Sequence, residues 1–101
     1  MKNILLLGRL TSIVDKLTDE LSDERVLIHG ATNAEEVIQQ LDTHAIDIVV
    51  MGGGLADDIR AELCRLIWSK REDLTIHIKD RASGPGTMAD FIKHVVGAFL
   101  N

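Results

Sequence analysis

Apolar residues come in two rhythms that alternate four times along the chain. A short, nearly continuous apolar run is followed each time by a longer segment with apolar residues every three or four positions. The first run is KNILLLG, residues 2–8. It has no polar alternation, which predicts a strand buried on both faces. Leu10, Ile13, Val14, Leu17 and Leu21 then fall on one face of a helix. Ser22, Asp23 and Glu24 break that pattern, and RVLIHGA, residues 25–31, predicts the second strand. Thr32 and Glu35 spell T-x-x-E, a capping box for a helix whose core face is Ala34, Val37, Ile38 and Leu41. IDIVVMG, residues 46–52, is dense enough in apolar residues to predict the sheet centre, and Gly52, Gly53 and Gly54 close it. Asp57 and Asp58 suit the first turn of a third helix, where acids favour the dipole. Its stripe is Ile59, Leu63, Leu66 and Ile67, with Lys70 snorkelling at the end. LTIHIK, residues 74–79, alternates apolar and polar, as an edge strand or a strand with one half-covered face does. A Pro/Gly loop, residues 83–86, leads to a last helix marked by Met88, Phe91, Ile92, Val95 and Phe99.

Four strand–helix units in strict alternation predict an α/β fold, a three-layer doubly wound parallel sheet. Right-handed crossovers make 2-1-3-4 the simplest strand order, with the switch point between strands 1 and 3. A ligand would sit outside the carboxyl ends of those two strands. No linker or low-complexity segment interrupts residues 1–101, which read as one domain.

Composition narrows the function classes. Apolar residues are 46% and charged residues 27% of the chain, as expected for a folded protein and not for a disordered one. A net charge of −5 argues against nucleic acid as a partner. No apolar run suggests a membrane span or a signal peptide, so a cytoplasmic location is expected. Cys64 is the one cysteine, which excludes an intrachain disulfide and a Cys-based metal site.

Candidate chemistry gathers at the switch point. Three glycines after a central strand let backbone N–H groups approach a ligand; equally, they are a permissive turn needing positive φ. The segment is neither a Walker loop nor a dinucleotide fingerprint. Arg9 follows Gly8 at the end of strand 1, with Thr11 and Ser12 opening helix 1. A guanidinium and two hydroxyls suit phosphate or carboxylate. The competing reading pairs Arg9 with Asp57 or Asp58 and makes Thr11 or Ser12 a helix cap. His29, His44, His77 and His94 lack metal-ligand spacing and read as isolated side chains, so no metal or cofactor is expected. Cys64 reads as packing, and Trp68 as core or as an anchor for a partner. No nucleophile elbow is present, and no catalytic residue is assigned.

The third-strand phrase IDIVVMGGGL, together with the architecture, resembles the receiver domain of two-component response regulators, a flavodoxin-like fold. The resemblance places Asp47 at the strand's start and Gly52 where receivers carry the phospho-accepting aspartate. Gly8 and Arg9 stand where they carry the acidic pair that holds magnesium. Lys79 stands where they carry a lysine at the end of the last strand, although Asp80 follows it rather than proline. The chain is also one strand–helix unit short of the usual five. Aspartyl phosphorylation needs a carboxylate nucleophile and a metal to shield the phosphoryl charge, and this sequence supplies neither there. The expectation is a non-catalytic receiver-like domain that regulates by binding a protein partner or by forming a homodimer through its third and fourth helices, with Trp68 and Leu100 near the contact. The alternatives are a small-anion binder using Arg9, Thr11, Ser12, Gly52, Gly53, Gly54 and Lys79, and an enzyme subunit completed by a partner.

Overall fold

The computed structural model describes residues 1–80 and 87–100. The elements follow in the order β1 (Lys2–Leu7), α1 (Thr11–Leu21), β2 (Val26–Ala31), α2 (Ala34–Thr43), β3 (Ile48–Met51), α3 (Asp57–Lys70), β4 (Ile76–Ile78) and α4 (Met88–Leu100). All strand pairs are parallel and the sheet order is β2-β1-β3-β4. This is the doubly wound, flavodoxin-like arrangement that the alternating rhythms predict. The Pro/Gly loop at residues 83–86 lies outside the described residues.

The register explains the continuous apolar runs. Leu5 lies between His29 of β2 and Val49 of β3, and Leu6 lies between Gly30 and Val50. Each strand residue alternates between two cores. Leu5, Leu7, Val49 and Met51 pack with Val37 of α2 and with Leu63, Cys64 and Ile67 of α3. Ile4, Leu6, Ile48 and Val50 pack with Val14 and Leu17 of α1 and with Met88, Ile92 and Val95 of α4. Both faces of Ile4–Leu7 and of β3 are therefore dry, and a polar residue on either face there would be stranded. Cys64 is packing, and burial pushes its thiol pKa up.

α1 lies very close to the sheet. A Cβ at Gly8 would come within 2.7 Å of a Val14 methyl, and one at Gly30 would collide with the other Val14 methyl. These glycines admit the helix, and burying Val14 and Leu17 then contributes about 1.5–3 kcal/mol each.

Several local expectations shift. The cap of α2 is one residue later than T-x-x-E. Asn33 Oδ1 accepts from the Glu36 N–H at 2.9 Å, and the Glu36 carboxylate accepts from Thr32 N and Oγ1 at 2.7 and 2.8 Å. Asparagine is the stronger cap, and the shift puts an acid at the third helical position. Ile59, assigned to the α3 stripe, is exposed because it sits in the first turn and the packed stripe starts at Leu63. β4 is shorter than residues 74–79. The Leu74 carbonyl accepts from the Trp68 indole N–H at 2.8 Å, and pairing with β3 begins only at the Thr75 carbonyl. Leu74 is buried and Ile76 half-buried, but Ile78 is exposed, and among the described residues no strand pairs with the outer flank of β4. Trp68 and Leu100, expected together at a dimer contact, lie on α3 and α4, which cover opposite faces of the sheet.

Candidate functional site

The carboxyl ends of β1 and β3 lie side by side, because Leu7 pairs with Met51. The chain leaves β1 through Gly8 and Arg9 and leaves β3 through Gly52–Gly54. The Gly52 N–H donates to the Leu7 carbonyl at 2.8 Å, which ties the two exits together. Between them opens a crevice of about 420 Å³. This is the switch point, where doubly wound sheets place their ligands.

Gly52 and Gly53 are required for space rather than for conformation. Neither Gly52, Gly53 nor Gly54 has its φ in the left-handed region, so the reading as a turn needing positive φ does not hold. A Cβ at Gly53 would come 2.8 Å from the Asp80 carbonyl oxygen, and one at Gly52 would come 3.3 Å from the Leu7 carbonyl oxygen. At Gly54 the nearest atoms are the Cβ and Nε of Arg9, at 3.8 and 3.9 Å, an ordinary contact. The Arg9 side chain thus lies across Gly54 at the mouth of the crevice.

Arg9 is exposed and makes no hydrogen bond or ion pair with any described residue. Asp57, one of the acids expected to neutralise it, binds Arg60 instead at 2.6 Å, one helical turn away on α3. Lys79 is brought to the same crevice but is 3% exposed, and its Nζ donates to the Asp80 carbonyl oxygen at 3.1 Å. Asp80 is on the same wall.

Thr11 and Ser12 do not join the site. Both are exposed on the first turn of α1 and neither lines the crevice. Neither is the cap either, since Leu10 holds that position without a side-chain hydrogen bond. The helix instead turns aliphatic residues toward the opening. Leu10 and Ile13, assigned to the core stripe, are 48% and 49% exposed and line the crevice with Val14 and Leu17. Leu6, Leu7 and Met88 complete the apolar walls. Of the five apolar positions in the stripe from Leu10 to Leu21, only Val14 and Leu17 are buried.

A second cluster lies at the opposite, amino end of the strands. His29 and His44 are stacked, with ring centroids 3.8 Å apart and planes at 20°. His29 Nε2 and Asn3 Oδ1 are 3.0 Å apart, and the Asn3 N–H donates to Asp47 Oδ2 at 2.7 Å. Burial first, and the neighbouring His44 second, hold the His29 pKa below its ordinary value. Spacing along the chain gives no sign of this pair, because one histidine is in β2 and the other caps α2. Among the described residues no group of three His, Cys, Asp or Glu side chains is placed to hold a metal, and no helix is long and apolar enough to cross a membrane.

Compared with known proteins, the chain matches no family model, no curated protein and no solved structure.

Proposed function

We propose that this chain is a non-catalytic, receiver-like regulatory domain, not competent for aspartyl phosphorylation, that takes a small anionic ligand at the ends of β1 and β3. The observation that carries the reading is Arg9, a guanidinium without a protein partner among the described residues, lying over Gly54 at the mouth of the switch-point crevice. Where a receiver would present a carboxylate nucleophile there is Gly52, packed against the Leu7 carbonyl and the Met88 side chain. Where it would present acids for magnesium there are Gly8 and Arg9. The local sign is inverted, and the crevice favours an anion although the whole chain is acidic.

One charge-assisted contact is worth about 1.5–3 kcal/mol, so a bare anion binds at millimolar affinity or weaker. Two measurements test the reading. Intact mass after treatment with acetyl phosphate and Mg²⁺ should show no phosphoryl adduct; a stoichiometric, hydroxylamine-labile adduct would overturn it. An NMR titration with phosphate at constant ionic strength should move the Gly8 and Gly52–Gly54 amides, and Arg9→Ala should abolish those shifts. Shifts unaffected by the substitution would reduce the triglycine to a structural turn.

A further inference from the structure

We infer that the ligand of this crevice is an aliphatic monocarboxylate of about eight carbons, its chain lying along α1 and its carboxylate at Arg9. The inference rests on the anion site just proposed and adds the chemistry of the body attached to the head. The crevice is far larger than a bare anion needs, at about 420 Å³. Its polar side chains among the described residues are only Arg9, Lys79 and Asp80. A sugar or a nucleobase would leave its own donors and acceptors unpaired against Leu10, Ile13, Val14 and Met88, a cost that selects against it. No aromatic side chain of the chain lines the crevice, so nothing there stacks on a ring. An unbranched aliphatic body fits these walls without such penalties.

Charge and length follow from the same residues. Lys79 already donates to the Asp80 carbonyl, so Arg9 is the group assigned to the head. One guanidinium on a chain of net charge −5 balances a single negative charge and not a second, which favours a monoanion. Leu10 to Leu17 spans about 10 Å of helix at 1.5 Å per residue, which an extended eight-carbon carboxylate matches, since its zigzag of bonds near 1.5 Å advances about 9 Å and the carboxylate oxygen adds about 1 Å. The half exposure of Leu10 and Ile13 is then the surface that the chain covers.

The test is an amide-resolved NMR titration of the intact chain with butanoate, hexanoate, octanoate and decanoate at constant ionic strength and below micelle formation. Each added CH₂ should tighten binding by up to about four-fold as far as octanoate, with little gain beyond. Shifts should centre on Leu10, Ile13 and Gly52–Gly54. Octylammonium should bind at least ten-fold more weakly than octanoate. Arg9→Ala should weaken octanoate by about ten-fold without changing the thermal midpoint, since the side chain is exposed and pairs with none of the described residues. Ile13→Ser should weaken octanoate and leave phosphate binding unchanged. Arg9-dependent phosphate shifts with a flat chain-length series would overturn the aliphatic ligand and leave the anion site standing. A rising series that treats octylammonium and octanoate alike, and ignores Arg9→Ala, would overturn both. Absence of shifts from every probe would overturn both as well.

Discussion

Replacing the three glycines one at a time by alanine separates a requirement for space from one for backbone freedom. Their φ values lie outside the left-handed region, so alanine meets no conformational strain at any of them. In the unfolded chain each substitution removes conformational freedom, which stabilises by about 0.4–1 kcal/mol where the native site accepts the methyl group. At Gly54 the new Cβ would rest 3.8 Å from Arg9 Cβ, and nothing opposes that gain. At Gly53 the Cβ would stand 2.8 Å from the Asp80 carbonyl oxygen and 3.2 Å from the Lys79 carbonyl oxygen. Those are backbone atoms, and separating them from the loop costs about 1–3 kcal/mol, the usual range for overpacking. Gly52 is intermediate, since its Cβ would meet the Leu7 carbonyl at 3.3 Å. The expected order of stability is Gly54→Ala above the parent, then Gly52→Ala, with Gly53→Ala lowest. For a chain of 101 residues about 1 kcal/mol moves the thermal midpoint by roughly 5 °C, and urea midpoints at constant slope measure the same differences. A Gly53→Ala variant as stable as Gly54→Ala would refute the reasoning, because only the distances to Lys79 and Asp80 distinguish the two sites.

Three further outcomes are expected. Because the His29 pKa is lowered on folding, the unfolded chain takes up that proton first; stability falls as the pH drops below 6.5 and levels off beneath the folded value, whereas Asp23 and Asp73, also lowered, act only from about 3.8 downward. Urea midpoints across this range should show two separate losses, and His44→Ala should shrink the upper one; a flat profile between pH 7 and 5 contradicts the His29 assignment. Asn33→Ala should destabilise by about 1 kcal/mol and Thr32→Val by less, the reverse order pointing back to a cap at Thr32. The outer flank of β4, which no described strand pairs with, and the exposed Ile78 should favour self-association, so sedimentation at micromolar concentration should show a dimer that Ile78→Lys weakens; a lone 11.1 kDa species rejects it.

The rhythm of apolar residues was enough to determine the architecture. Ile4–Leu7 and Ile48–Met51 are continuous because both faces of β1 and β3 are covered, and the 3.6-residue periods between them leave only a wound parallel sheet. The site's location was legible for the same reason, since Gly8, Arg9 and Gly52–Gly54 fall at the ends of the two strands that flank the switch point. The character of the site was not. Hydroxyls at Thr11 and Ser12 suggested a polar crevice, but the rotation of α1, fixed by Val14 lying against Gly8 and Gly30, turns Leu10 and Ile13 to the opening and leaves the hydroxyls outside. Periodicity gives the face of a helix; how far that face extends past the sheet depends on where the helix rests. The pairing of Arg60 rather than Arg9 with Asp57, the cap at Asn33 and the stacking of His29 on His44 have the same origin. Each is a contact selected from several that the sequence spacing allows, and only the tertiary packing of strands and helices sets which groups come within reach.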